Sequence, residues 1–580
     1  MTYERARMAT LAAALALALS LLVPAAGSAH GTTRGNPACP GEDVFYNPGS
    51  GEDIVVPPGY QVEVFAKDLN FPSGIAFVGN KRHFKTYVIE SGSGLPGRCN
   101  DPMNPAFGGV TSSSNPMTPD IRVFDQQGEP VRGPLGKPTA GGGGFDPTGP
   151  AIDLGFERGM GGGRLFATNA SATPNNGRIV LVDPKTGAVS RFIGGLPSLV
   201  DHPTEQLEFR DGWIYWSQGS ATNTAVVGHD NAMGRGQHDI PCQDVTLSQN
   251  TWSSGDGHLT SGYSPHGVAR PGAVVKAFEG ASRPGICTGA ILRARLDAGD
   301  PGSTIEPFSW GYRNPFGIRF SPQRSPLRGG LFITENGEDL RGARPVNNAP
   351  DRLQVARQTT EGTPDYHGWP DQFGFLDSTQ RVFDPVPAPA EDDPAAVVGK
   401  PVQRVLAFPP QLPVGPLALD PADAAVVGND FAPTPFTSSL VRRDAALIAR
   451  EGPFGFGPPN GVPNLGHDVE LANFGEPLSI STLRFAFNCP QGEQAATPNG
   501  LPTCGQPNPG EAFAERLRAI NRPVDAKFGP DGALYVADYG AVRDLGQADP
   551  RTMFTNPADM PLVQIPRTGV IWRISRVDDD

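Results

Sequence analysis

A two-part phrase that returns along the chain constrains its fold more than any other feature. An apolar segment, usually entered through Pro, is followed by a Gly or polar turn and then by a second apolar segment ending in an acidic or polar residue. The phrase reads Pro72–Phe77 with Tyr87–Glu90, Gln206–Phe209 with Trp213–Trp216, Pro315–Phe320 with Gly330–Glu335, and Val524–Phe528 with Ala533–Asp538. Weaker copies stand at Gly149–Phe166 and Val414–Leu419. A second phrase alternates apolar and polar residues after a Gly, at Gly177–Val182, Gly289–Ala294 and Gly569–Ile574. Alternation of period two marks strands with one buried face. Repeats of this kind are units that must stack to bury a core. Six such units predict an all-β chain, a six-bladed β-propeller with long loop insertions, in which a closed ring leaves only short sheet edges. Gly59–Ala66 is expected to close the ring beside Gly569–Val577. Helical periodicity is nearly absent, Glu511–Ile520 being the one fair candidate.

The punctuation agrees: 73 Gly and 62 Pro suit many short strands joined by turns. A formal charge of −13 without a basic run excludes nucleic acid as an expected partner. Arg5 and Arg7, then the apolar run Met8–Val23, then Gly27-Ser28-Ala29 before His30 read as a cleavable export segment, 1–29, too short to be a comfortable membrane span. The expected organisation is that segment, an N-terminal extension at 30–58, and a propeller at 59–580 carrying a polar loop insertion at 220–288. The expected location is secreted or periplasmic, without stable membrane insertion. All six cysteines follow the export segment, so disulfides are expected, and six cysteines allow 15 pairings. Proximity favours Cys489 with Cys504 and Cys242 with Cys287, leaving Cys39 with Cys99. Ala140–Pro147 and Phe454–Pro463 read as flexible excursions.

Polar residues at the blade starts carry the candidate chemistry. His202, in Val200-Asp201-His202-Pro203, reads as a general base with Asp201 orienting it or raising its basicity, or as a plain turn. Arg313-Asn314-Pro315 stands in the same relative place one unit on. It supplies planar donors for a carboxylate or a developing oxyanion, or else a surface Arg beside a turn. The run Glu335-Asn336-Gly337-Glu338-Asp339 reads as oxygen ligands for a hard cation or as a solvated acidic turn. Glu90, Glu335 and Asp538 end comparable strands, which keeps a metal-dependent lactonase open.

Taken in order, Asp201-His202, Tyr312-Arg313-Asn314-Pro315-Phe316-Gly317, Glu335-Asn336-Gly337 and Tyr366-His367-Gly368-Trp369-Pro370 resemble the glucose/sorbosone dehydrogenase family, six-bladed propellers similar to soluble quinoprotein glucose dehydrogenase. The resemblance spans, with gaps, Gly59–Val577. It implies hydride transfer from a sugar, polyol or aldehyde to pyrroloquinoline quinone (PQQ) held with Ca²⁺ at the channel mouth, and an external electron acceptor. His202 would take the substrate proton. Arg313, Asn314 and Arg522 would contact the cofactor, and the carbonyls of Gly337 and Glu338 would hold the calcium. The chain departs from the family pattern at Val524, where the family has a second Arg, at Glu205, where it has Gly, and at Arg352, where it has an acid. Arg442 or Arg443 stands nearest the family's cofactor-binding lysine. A non-catalytic carbohydrate- or protein-binding propeller is the remaining alternative.

Overall fold

The computed structural model describes residues 31–577 apart from single residues and short stretches, the longer being 231–236, 386–399, 454–464, 505–517 and 545–561. The expected export segment, the excursion at 454–463 and residues 511–517 of the helix candidate Glu511–Ile520 lie outside the described residues. Everything below concerns the compact unit that begins at Thr33.

Six sheets form the ring. In chain order of their innermost strands, blade 1 runs Pro72–Asn80, His83–Glu90, Asp120–Phe124 and Pro130–Leu135, and blade 2 runs Leu154–Glu157, Arg164–Asn169, Gly177–Val182 and Val189–Leu196. Blade 3 holds Thr204–Arg210, Trp213–Gln218, Ala290–Arg295 and Glu306–Trp310, with Asp365–Tyr366 added in parallel outside. Blade 4 holds Asn314–Phe320, Leu331–Asn336, Asp351–Ala356 and Ala418–Asp420. Blade 5 holds Val426–Phe431, Ala446–Arg450, Asp468–Gly475 and Ser479–Asn488, with Ile54–Val55 as a fifth strand. Blade 6 takes Pro523–Phe528, Leu534–Asp538 and Gly569–Arg576 from the C-terminal part and Tyr60–Leu69 from the N-terminal part. That last pairing, antiparallel from Gly569↔Leu69 to Arg576↔Tyr60, closes the ring as expected. Each innermost strand touches the next, and blade 6 meets blade 1.

The burial pattern follows from blades stacking face to face. A middle strand such as Leu534–Asp538 is buried throughout, whereas the rim strand Pro130–Leu135 buries only Leu135. Continuous apolar runs therefore mark middle strands, and polar rims mark outer ones. Near the axis there is little room: a Cβ on Gly317 would lie 2.2 Å from the Val427 carbonyl oxygen, and one on Gly428 would lie 2.4 Å from Asp525 Oδ1. Side chains of the innermost strands fill the axis. Lys527 pairs with Asp153 (2.7 Å) and Asp525 (3.4 Å), and Arg319 pairs with Glu208 (2.7 Å) and Asp430 (3.1 Å). Gln206 and the Ile75 amide donate to Asp525 (2.9 and 3.1 Å). All six blades contribute to this plug, so the open space lies at the channel end.

The weak repeat expected at Val414–Leu419 is a correction. Ala418–Asp420 is the outermost strand of blade 4, and the fifth unit starts instead at Val426–Phe431. That strand begins without an adjoining Pro, and its first amide, that of Val426, donates to Asp351 Oδ2 at 3.2 Å. All three expected disulfides form, Cys39–Cys99, Cys242–Cys287 and Cys489–Cys504. No helix among the described residues is long and apolar enough to cross a membrane.

Candidate functional site

The loops that lead into the innermost strands and out of the second strands gather at one end of the ring and enclose a cavity of about 520 Å³. That is within the range of small-molecule sites. One irregularity recurs at this end: in blades 1, 3, 4, 5 and 6 the innermost strand bulges against its neighbour, between Pro72 and Gly74, Thr204 and Leu207, Asn314 and Gly317, Val426 and Asn429, and Pro523 and Asp525. A bulge re-aims the side chains beside it. In blades 3 and 4 it brings Glu205, Asn314 and Phe316 to the cavity wall.

His202 and Arg313 both line this cavity. The imidazole Nδ1 is enclosed without a hydrogen-bond partner, which leaves Nε2 as the nitrogen a ligand can reach. Burial, then the guanidiniums of Arg313 and Arg341, push the ring well below its ordinary value, so it is neutral at physiological pH. The expected role of Asp201 needs correcting. Its Oδ2 accepts from Arg341 Nη2 at 2.5 Å instead of meeting the unpartnered Nδ1 of His202. Arg341 also holds Asp230 (2.8 Å) and Asp339 (2.9 Å), and Asp339 in turn accepts from Arg313. Asn223 of the 220–288 insertion braces this loop, donating to the Asp339 carbonyl at 2.8 Å and accepting from the Asp339 amide at 2.8 Å.

Opposite lies a carboxyl pair that the sequence reading did not identify as a site. The Asn314 amide nitrogen, in the orientation its neighbours require, donates to both Glu205 oxygens at 2.7 and 3.0 Å. Burial raises Glu205 well above the usual carboxylate range, with Arg313 opposing and Glu451 reinforcing the shift. Glu451 is pushed up to about 7 by burial, against the pull of Arg522. Asp230 and Asp423 are raised to about 6 and Asp351 to about 8, burial leading in each. A wall rich in acids is thus less anionic near neutrality than its composition implies. Glu451 directly follows the second strand of blade 5, so correct placement of the fifth repeat would have exposed it in the sequence.

Several expected site residues serve the scaffold. Glu90, Glu335 and Asp538 do not converge as a metal set. Each caps the backbone leading into its own blade: Asn70 N donates to Glu90 at 2.6 Å, Arg313 N to Glu335 at 2.8 Å, and Asn521 N and Arg522 N to Asp538 at 2.7 and 2.8 Å. His367 stacks on Tyr312 (4.6 Å) and meets Gln354 at 2.6 Å, packing blade 3 against blade 4. Arg522 donates to the Pro453 carbonyl at 3.0 Å and lies behind the wall that Gly452 and Pro453 form. Val524 is core. Arg442 and Arg443 are exposed in the turn between Val426–Phe431 and Ala446–Arg450, at the other end of blade 5 from Glu451.

The expected cofactor fits in part and the expected metal does not. Arg313 is 4% exposed and lines the cavity beside Asn314, so its guanidinium brings positive charge to the wall where an anionic ligand group would lie. Calcium is a correction. The Gly337 carbonyl, one of the two expected ligands, already accepts from Arg313 Nη1 at 2.6 Å, and the side chain of Glu338, whose carbonyl was the other, is held by Arg352 Nη2 at 2.5 Å. A guanidinium on the Gly337 oxygen repels a cation there.

No family model and no curated protein matches the chain. Among the solved structures that match are three that are similar over most of its length at low identity. A calcium structure of Trichoderma reesei Carbohydrate-Active Enzymes Family AA12 is 13% identical, with TM-score 0.45, covering 91% of this chain and 98% of that one. The PQQ-bound form of aldose sugar dehydrogenase from Streptomyces coelicolor is 15% identical, with TM-score 0.43, covering 90% and 99%. A glucose dehydrogenase is 12% identical, with TM-score 0.42, covering 88% and 98%.

Proposed function

We propose that the mouth cavity is the active site of a quinone-dependent dehydrogenase that oxidises a sugar, or a related polyol or aldehyde, by hydride transfer. The observation that carries this reading is His202, a neutral imidazole in the wall of a cavity of about 520 Å³ with Arg313 and Asn314 beside it. PQQ, when bound, supplies a carbonyl carbon system that accepts hydride. Arg313 and Asn314 would hold it from blade 4, Arg313 through the charge of its guanidinium. His202 carries no proton at neutral pH, so its Nε2 is able to accept one from a substrate hydroxyl. Arg341 and Asp339 set the position of Arg313 and thereby of its charge. The three disulfides support work in an oxidising compartment outside the cytoplasm, with electrons leaving to an external acceptor.

The test is titration of the purified chain with PQQ, followed by absorbance, and then aldose-dependent reduction of an artificial acceptor. Stoichiometric uptake is expected. His202→Ala is expected to retain the cofactor and lose turnover by 100-fold or more, a loss on the order of that for a general base. Failure to bind the quinone would overturn the reading and favour a carbohydrate-binding propeller.

A further inference from the structure

We infer that Arg313 and Arg352 stand in for the calcium ion, so that ligand binding at this mouth is independent of calcium. The inference rests on the dehydrogenase reading only for the place where an ion would be expected. A Ca²⁺ site needs six to eight oxygen ligands at roughly 2.3–2.6 Å. Here the Gly337 carbonyl is engaged by the Arg313 guanidinium at 2.6 Å. That guanidinium is anchored at both ends of its residue: the Arg313 amide donates to Glu335 Oε1 at 2.8 Å, and Nη2 bonds Asp339. Arg352 holds the acidic side chains on either side of Gly337 in the sequence. Its Nη1 meets Glu335 Oε1 at 2.8 Å and its Nη2 meets Glu338 Oε2 at 2.5 Å, and all three side chains are at most 3% exposed.

Two guanidiniums together carry the charge of one divalent ion, and each satisfies oxygens that the ion would otherwise need. Removing Arg352 would strip the buried Glu338 carboxylate of its ion pair, which holds that arginine in place. Among the described residues no group of three or more His, Cys, Asp or Glu side chains gathers as a metal set. The planar fork of Arg also offers a ligand directional donors, which a bare ion does not. Arg313 is therefore both the counter-charge and a residue of the cavity wall.

Calorimetric titration of the EGTA-treated, dialysed chain with CaCl₂ tests this directly. The expected result is no saturable binding below about 1 mM, the weakest range of dedicated calcium modules, and one thermal midpoint in EGTA and in CaCl₂. One-site binding in the micromolar range, or a midpoint that rises with calcium, overturns the inference. Arg352→Glu places a third carboxyl beside Glu335 and Glu338. It is expected to lower the midpoint in EGTA and to recover it with calcium, and a folded variant indifferent to calcium would count against Arg352 as the substitute. Should that variant fail to fold, the wild-type titration still decides. PQQ titrations run in EGTA and in CaCl₂ separate the two readings. Equal binding in both supports the inference, and binding only with calcium overturns it while sparing the dehydrogenase. No binding in either removes the dehydrogenase and leaves the calcium titration to decide.

Discussion

Glu451 shows how burial at the cavity turns one side chain into a pH-dependent element. Its carboxyl is raised to about 7, facing Arg522, which favours ionisation, and Glu205 and Tyr539, which feel its charge. Below about pH 4 the group is protonated in both folded and unfolded chains, and its contribution to stability is present in full. As pH rises past the ordinary carboxylate range, the unfolded chain ionises first. The contribution is lost as pH approaches and passes the folded value near 7. Thermal unfolding should therefore show a higher midpoint at pH 5 than at pH 8, and Glu451→Gln should narrow that gap. An unchanged gap would mean that the carboxyl is not held in the protonated form.

At the scale of the strand, the acidic residue that ends a repeat is a backbone device. Asp538 accepts from the amides of Asn521, Arg522 and Gly540 and from Trp572 Nε1 at 2.7, 2.8, 3.2 and 3.0 Å, tying the segment that enters blade 6 to its second and third strands. Asp538→Ala should destabilise the fold by ~3 kcal/mol, because several buried donors lose a charged acceptor at once. Asp538→Asn, which keeps one acceptor oxygen, should cost less. Chemical denaturation measures both, and equal losses would show that volume, not hydrogen bonding, is what Asp538 supplies. The same device positions Arg313, since Glu335 holds its amide. The functional side chain of blade 4 is thus placed by the repeat itself.

Over the whole molecule, stability depends on joining chain ends. Tyr60–Leu69 supplies the outer strand of blade 6, and without it Gly569–Arg576 would be an open edge. Deletion of residues 31–69 should abolish the cooperative melt and cause association on gel filtration. The double variant Cys39→Ser, Cys99→Ser should still fold cooperatively at a lower midpoint, because it loses one cross-link and keeps the closing strand. A cooperative, monomeric deletion product would show that the ring does not need its closure.

Period-two alternation, Pro and Gly punctuation and recurrence made the blades legible, because each unit repeats one burial problem and so one pattern. The closing strand and the disulfide pairs were legible too, from end position and proximity. The fifth unit was not, since Val426–Phe431 begins with no adjoining Pro to mark it. The sequence by itself determined the ring and placed His202, Arg313 and Asn314 at its mouth. Tertiary structure alone decided which partner each group takes: Asp201 goes to Arg341 and not to His202, and the Gly337 carbonyl goes to Arg313. The physical reason is range. Strand pattern is set by neighbours along the chain, whereas the pairing of a buried charge is set by groups brought within hydrogen-bond reach from 24 to 140 residues away.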